Sequence, residues 1–142
     1  MAAATAMLVV STAQPAAAAP APYYTFVGNQ QCRATYACAW WLEDYTGSAV
    51  GFYSDAWDWG AIPSAYRFIN NNARSWENHG TSSFGNVRYF ENPGGSGRNK
   101  CLKMGYSVAR QADFNDIVSA NVWKSTCNGY PLFTEQFPVE WD

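Results

Sequence analysis

The chain has 142 residues with nine Lys or Arg, eleven Asp or Glu and a net charge of −2 at pH 7. This near-neutral balance contains no basic cluster that could neutralise a series of phosphates, so nucleic acid is not an expected partner. With one His in the whole chain and no close Cys or His pair, a zinc-type centre is not expected either. The 7 Trp, 9 Tyr and 8 Phe residues all lie beyond residue 22, in a length that suits one compact domain.

The first 22 residues are small and apolar, and no charged residue occurs before Arg33. A short apolar run at residues 6–10 followed by four Ala at residues 16–19 is typical of a secretory signal peptide and its cleavage site. We therefore expect a leader over residues 1–19 and a secreted, extracellular protein without membrane association after cleavage. The basic residues that usually precede such a run are missing, which favours a start codon further upstream over a truncated leader.

One hairpin pattern occurs twice in the remaining chain. The pattern is an aromatic residue, four intervening residues, an aromatic residue or Gly, one intervening residue, and Gly. It occurs at Trp40, Tyr45 and Gly47 and again at Phe90, Gly95 and Gly97. A Gly with positive φ lets such a hairpin fold back over its sheet while the rings pack across the bend. Because Gly95 replaces the second ring, we expect the second corner to be less well packed.

Alternating apolar residues between Gly, Asn, Asp and Pro clusters predict an all-β chain. The predicted strands are residues 37–42, 49–53, 66–69, 73–76, 87–91, 100–104, 112–114 and 119–124, with short helical turns near residues 55–60 and 107–113. Residues 20–31 are expected to form an extended entry segment. Because residues 128–142 keep four rings, we expect them to run as an arm over the domain.

The segments that carry the repeat are CAWWLEDYTG, INNNARSWEN, VRYFENPGGSGRNKCL and DFNDIVSANVW. They resemble the βγ-crystallin double Greek key, and in particular the secreted bacterial peptidase inhibitor family I36. The resemblance implies a βγ-crystallin-like double Greek-key sandwich over residues 32–127, with motifs at about 32–80 and 84–127. It also implies a monomer whose partner is a secreted protease.

Four cysteines in an exported chain indicate two disulfides, and three pairings are open. We favour Cys32 with Cys38 and Cys101 with Cys127, because each pair then lies within one half of the chain. The resemblance agrees, since the family places a short Cys pair at the entry to the domain.

Calcium is the cofactor that the resemblance suggests, although none is required. Many βγ-crystallins bind it through two Asn or Asp residues, two free positions, then Ser or Thr and Ser. The second copy matches this pattern at Asn115, Asp116 and Ser119, whereas the first has Arg74 at the Ser or Thr position, where a cation would repel the ion. The alternative is that these Asn and Asp residues only form turns.

An inhibitory segment is predicted at Lys100, Cys101, Leu102 and Lys103, where the Cys and following apolar residue resemble the family's inhibitory pair. An apolar side chain after the scissile position suits thermolysin-like metalloproteases. No second Cys follows closely, which departs from the inhibitor's pattern. The alternative is a plain strand, and the binding surface would then lie at the hairpin tips, residues 43–46 and 92–96.

No catalytic constellation is expected, so we predict that the protein is not an enzyme. The acid pairs Glu43 with Asp44 and Asp55 with Asp58 are better explained as turn residues than as a glycosidase pair. His79 has no Asp or Ser at a telling spacing, and we expect it at the surface.

The tryptophans offer a second function class, a calcium- or glycan-binding structural module without inhibitory activity. Trp40 and Trp41 are consecutive, so one of them must point away from the core if both lie on a strand. Trp57 is expected in the core and Trp59 at the surface, where exposed rings often mark binding sites.

Overall fold

The computed structural model describes residues 2–10, 19–29 and 32–139. The described chain contains nine strands and two 3-10 helices. The strands are β1 (Tyr23–Val27), β2 (Ala37–Trp40), β3 (Ser48–Phe52), β4 (Ser75–Asn78), β5 (Asn86–Asn92), β6 (Ser96–Leu102), β7 (Tyr106–Val108), β8 (Ala120–Lys124) and β9 (Gln136–Pro138). The 3-10 helices are Ser64–Ile69 and Ala112–Phe114.

Two antiparallel sheets face each other, which confirms the predicted all-β class. One has six strands in the order β1-β3-β2-β4-β7-β9, and the other has three in the order β6-β5-β8. The halves of the chain exchange strands: β7 of the second half pairs with β4, and Ala56 of the first half forms a bridge with Asn121 on β8. Neither half therefore completes its sheet alone.

Aromatic side chains fill the space between the sheets. The largest fully buried ones are Trp59, Trp76, Tyr89, Phe52, Phe114 and Phe133. The rings of Phe52 and Trp59 stack with centroids 4.8 Å apart, and those of Trp76 and Phe133 lie 5.1 Å apart. Because each such ring buries a large apolar area, these contacts dominate the stability of the domain.

A second apolar cluster covers the outer face of β2. Along this strand Ala37 and Ala39 face the main core, while Cys38 and Trp40 face the outer cluster with Tyr24 of β1. All four β2 residues are buried because the rings of Tyr24, Phe26 and Tyr36 cover that outer face.

Both disulfides have the pairing that we favoured from the sequence. Cys32–Cys38 fastens the entry segment to β2, and Cys101–Cys127 fastens β6 to the chain after β8. A disulfide limits the conformational freedom of the unfolded chain, and this typically raises the free energy of unfolding by about 2 to 4 kcal/mol.

Two predicted strands are wrong, and the predicted helical turns are displaced. Residues 66–69 and 112–114 form the 3-10 helices, with Tyr66 donating to the Pro63 carbonyl. Conversely, the predicted turns include Ala56, which bridges β8, and most of β7. The reason is that the hydrogen-bond partners of these strands come from the other half of the chain, which local patterns do not reveal.

Most of the arm, residues 128–139, is described by the structure, whereas part of the proposed leader is not. In the arm, Phe133 is buried in the main core and β9 pairs with β7. Residues 11–18, which include part of the proposed cleavage site, lie outside the described residues, as do residues 30–31 and 140–142. Among the described residues no helix is long and apolar enough to cross a membrane.

Candidate functional site

The segment predicted to be inhibitory is the end of β6, an edge strand of the three-stranded sheet, together with the residue that follows it. Cys101 and Leu102 have no exposed surface, and Leu102 packs in the main core. On its open side, β6 is covered by the arm, because the Cys101 N–H donates to the Pro131 carbonyl at 2.7 Å. Lys100 pairs with Asp113 at 3.2 Å. Leu102 therefore cannot reach a protease pocket in the folded protein, and the plain strand is the arrangement that the structure has.

Lys103 is the exposed end of that segment. Its backbone N–H donates to the Gln136 side chain at 3.1 Å, and its ammonium lies 5.5 Å from the centre of the Tyr106 ring. These contacts hold Lys103 against the arm and β7, so no residue of the segment projects as a free reactive loop.

The first hairpin tip, residues 41–47, projects two neighbouring apolar side chains. Trp41 is 48% exposed and Leu42 is 44% exposed, and they follow directly after the buried Trp40. One of the two consecutive tryptophans thus lies off the core, as expected. The sequence carried a signal for this surface, because the apolar run at residues 39–42 continues beyond the end of β2 into the turn.

Hydrogen bonds hold the backbone of the first tip from several parts of the chain. The Ser75 hydroxyl donates to the Leu42 carbonyl at 2.6 Å and accepts from the Tyr45 N–H at 3.1 Å. The Asp44 N–H donates to the Ala109 carbonyl at 2.9 Å. These partners belong to β4 and to the chain after β7, so the tip is rigid although its apolar side chains are exposed.

Local conformation explains how the first tip folds back. Asp44 and Tyr45 have φ of 56° and 57°, and Gly47 has φ of 75°. These left-handed values are natural for Gly and tolerated by Asp, whereas Tyr45 is held by its ring, which meets the Trp40 ring edge-on at 5.4 Å. This is the packing that the repeated pattern predicts.

At the second hairpin tip, residues 91–97, an aromatic ring from the other half of the chain packs where the pattern has Gly95 in place of a ring. Trp57 stacks on Phe90 at 6.5 Å, and its carbonyl accepts from the Gly94 N–H at 2.7 Å. A side chain at Gly95 would meet the Trp57 ring at 2.7 Å, so only Gly fits there. The expectation of a poorly packed corner is therefore wrong.

The same arrangement corrects the expected positions of two tryptophans. Trp59 is fully buried and its indole N–H donates to Asn121 at 2.7 Å, whereas Trp57 is 49% exposed. The cause is the bridge between Ala56 and Asn121, which brings this stretch across β8 and leaves Trp57 over the second tip.

At the second tip, the Arg98 guanidinium and backbone N–H both bind the Glu91 carboxylate. The hydrogen bond from Arg98 lowers the pKa of Glu91. Apart from Trp57 beside it, this tip offers small or polar side chains, so it is a weaker apolar contact than the first tip.

The loops expected to hold calcium cross each other between the two halves. The Asn71 N–H donates to the Val118 carbonyl at 2.9 Å, and the Asp116 N–H donates to the Ala73 carbonyl at 3.1 Å. Asn71 and Asp116 both have left-handed φ, of 58° and 60°. The two loops are therefore related by an approximate twofold symmetry.

The side chains follow this symmetry with one exception. On one side the Ser119 hydroxyl donates to Asn71 Oδ1 at 2.7 Å. On the other side Arg74 takes the position equivalent to Ser119, and its guanidinium binds both Asp116 oxygens, with Nη2 at 2.8 Å from Oδ2. This hydrogen bond raises the pKa of Arg74.

These residues do not fit calcium, which needs six to eight oxygen ligands. The Arg74 cation already holds the carboxylate of Asp116, and Ser119 is engaged with Asn71. Asn115 donates to Glu43 Oε1 at 3.2 Å. In this arrangement the residues predicted to bind calcium form hydrogen bonds and an ion pair between the two halves of the chain.

Calcium is accordingly expected to leave the melting temperature of the parent protein unchanged. In Arg74→Ser the guanidinium is gone and Asp116 is open, so this variant should melt slightly lower in chelator and regain stability with calcium. The control Arg74→Ser/Asp116→Asn should not respond, because it lacks the carboxylate. A calcium-induced rise in the parent would contradict this assignment.

His79 is buried, which corrects its expected surface position. Its Nε2 lies 2.9 Å from the Glu77 carboxylate, and both side chains are 9% exposed. The Cys32 sulfur is near this pair, but it is committed to the disulfide with Cys38 and is not a free metal ligand. β4 places Glu77 beside Cys38, which explains why the pair lies against the disulfide.

The acidic residues considered for catalysis all have structural partners. Asp58 accepts from the Gly60 N–H at 2.8 Å, Asp55 accepts from the Trp123 N–H at 2.8 Å, and Asp44 pairs with Arg110. Asp58 acts as a turn residue, whereas Asp55 and Asp44 connect the two halves of the chain.

The comparison with protein families identifies the chain. The model of peptidase inhibitor family I36 matches residues 27–102, which contain both hairpin tips. The chain belongs to this family. The search of curated proteins finds no match to this I36 protein.

Solved structures similar to this I36 protein are βγ-crystallin domains. One, described as "Evolution of the eye lens beta-gamma-crystallin domain fold", is 12% identical, has a TM-score of 0.58, and covers 70% of this chain and 94% of its own. A βγ-crystallin from Ciona intestinalis is 14% identical, has a TM-score of 0.50, and covers 63% of this chain and 99% of its own. At these identities the likeness shows the fold, which confirms the βγ-crystallin-like architecture.

Proposed function

We propose that this I36 protein is a secreted inhibitor of thermolysin-like metalloproteases that binds its target through the first hairpin tip. The observation that carries the proposal is a rigid tip with two exposed apolar side chains, Trp41 and Leu42. Family membership supports inhibition of a peptidase, and the choice of protease class and of contact surface is ours. The protein acts by binding and performs no catalysis.

Rigidity is what makes the first tip suitable. A segment that loses little freedom on docking keeps more of its contact energy as affinity. The bonds from Ser75 and Ala109 already fix the backbone at Leu42, Asp44 and Tyr45. Trp41 adds a large amphipathic side chain of the kind that dominates protein interfaces.

Side-chain chemistry supports the protease class. We place Leu42 directly after the scissile position, where an apolar side chain suits the apolar pocket of thermolysin-like enzymes. No Lys or Arg occurs among residues 41–47, so the tip offers nothing to the acidic specificity pocket of a trypsin-like protease.

Export fits this role. A leader over residues 1–19 would deliver the chain to the compartment where disulfides persist, and both cysteine pairs of this fold are bonded. The mature inhibitor is proposed to be an extracellular monomer.

The direct test is an inhibition assay with the chain from residue 20. Thermolysin should be inhibited in a saturable, stoichiometric manner, whereas trypsin should retain full activity. Intact protein recovered after incubation shows that the chain is an inhibitor and not a competing substrate. Full thermolysin activity at a large molar excess of folded protein would refute the metalloprotease assignment.

A further inference from the structure

A cavity of about 290 Å³ lies where the two halves of the chain meet, away from both hairpin tips. Its lining combines three aromatic rings with three hydroxyl side chains, Tyr53, Phe84, Trp123, Thr35, Thr81 and Ser82. Within the described chain no charged side chain lines it. Inhibition through the first tip does not use any of these residues.

Backbone contacts build this cavity into the fold. Thr35 has a φ of 74°, which is unusual for a β-branched residue, and its N–H donates to the His79 carbonyl at 2.8 Å. A side chain at Gly80 would lie 2.6 Å from the Gly85 carbonyl oxygen and 2.8 Å from the Trp123 ring. The space at Gly80 is thus closed to a side chain, and a strained backbone such as that of Thr35 is often found at functional sites.

Residues 80–85, which connect the two halves of the chain, are anchored to the core by Asn78. The Asn78 side chain donates to the carbonyls of Gly85 at 2.7 Å and Leu102 at 3.0 Å and accepts from the Gly80 N–H at 2.8 Å. Residues 80–85 are thus tied to the core, while Phe84 keeps 61% of its surface exposed. An exposed ring on an anchored segment is available to a ligand.

We propose that this cavity binds one ring of a neutral carbohydrate. A sugar ring has apolar C–H faces that pack on aromatic rings, and hydroxyls that pair with Ser, Thr and Tyr hydroxyls. A charged ligand would lose hydration without meeting an opposite charge in the lining. The volume is at the small end of the roughly 300–1,000 Å³ typical of ligand sites, which suits one ring with the rest of the oligosaccharide in solvent.

The test is a titration of the chain from residue 20 with chitotriose, cellotriose and maltotriose, followed by NMR and tryptophan fluorescence. At least one of these saccharides should bind saturably and shift the signals of Thr81, Ser82 and Trp123. Phe84→Ala should weaken that binding about tenfold, because a stacking ring is lost. Phe137→Ala, which removes another highly exposed ring outside the cavity, should bind like the parent.

Saturable binding to none of the three saccharides overturns the proposal, as does saccharide binding that Phe84→Ala leaves unchanged. A proline-rich peptide that shifts the same signals more strongly would identify a peptide groove instead. Thermolysin inhibition should be equal in Phe84→Ala and in the parent, so this experiment and the inhibition assay fail independently.

Discussion

Leu42→Asp is expected to weaken thermolysin inhibition about 100-fold, on the scale of losing an interface anchor. The substitution puts a carboxylate at the position proposed to enter the apolar pocket of the protease, where no partner would compensate its desolvation. Because Leu42 is 44% exposed and lies beside Gly47 of the same turn, the variant should keep the melting temperature of the parent. The measurement is the inhibition constant of the folded variant.

Three comparisons make this result specific. Trp41→Ala should weaken inhibition as well, since it removes the neighbouring exposed ring. Phe84→Asp changes an apolar side chain that is 61% exposed but lies at the cavity away from both tips, and it should inhibit like the parent. If folded Leu42→Asp inhibits as well as the parent, the contact moves to the second tip, where Trp57→Ala is the next variant to measure.

Leu102→Asp is expected to abolish folding. Leu102 has no exposed surface and packs in the main core, so a carboxylate there would be buried without a partner. Even Leu102→Ala should cost about 2 to 5 kcal/mol through lost contacts and a cavity. Chemical denaturation followed by tryptophan fluorescence and near-ultraviolet circular dichroism measures both variants.

Met104→Asp is the matched control for this experiment, because Met104 lies two residues further along and is 46% exposed. It should unfold near the midpoint of the parent. A Leu102→Asp protein that folds normally and inhibits poorly would return the inhibitory role to residues 100–103.

The fold class and the disulfide pairing could be predicted from local sequence patterns. The repeated ring and Gly spacing at Trp40 and Phe90 encodes a hairpin whose geometry depends on a few neighbouring residues. The pairs Cys32–Cys38 and Cys101–Cys127 follow from closeness within each half and from the family resemblance. Such features can be predicted from the sequence because the residues that cause them lie within a short stretch of the chain.

The position of the predicted inhibitory segment could not be judged in this way. A strand and a reactive loop can share the pattern of basic residues around Cys101 and Leu102. Only the arm, whose Pro131 carbonyl accepts from the Cys101 N–H while Phe133 enters the core, covers the open side of this segment. That contact joins parts of the chain about 30 residues apart, beyond the range of periodicity and spacing.

Periodicity, Gly positions and cysteine spacing act locally, and for this reason the sequence alone predicts an all-β chain of two similar hairpin motifs. The tertiary structure decided which side chains are available for binding. It brought Trp57 onto the second tip, Arg74 onto Asp116 and β7 beside β4, in each case by joining one half to the other. Exposure depends on these long-range contacts, and for that reason the proposed binding residue is Leu42 at a rigid tip and not Leu102 in the core.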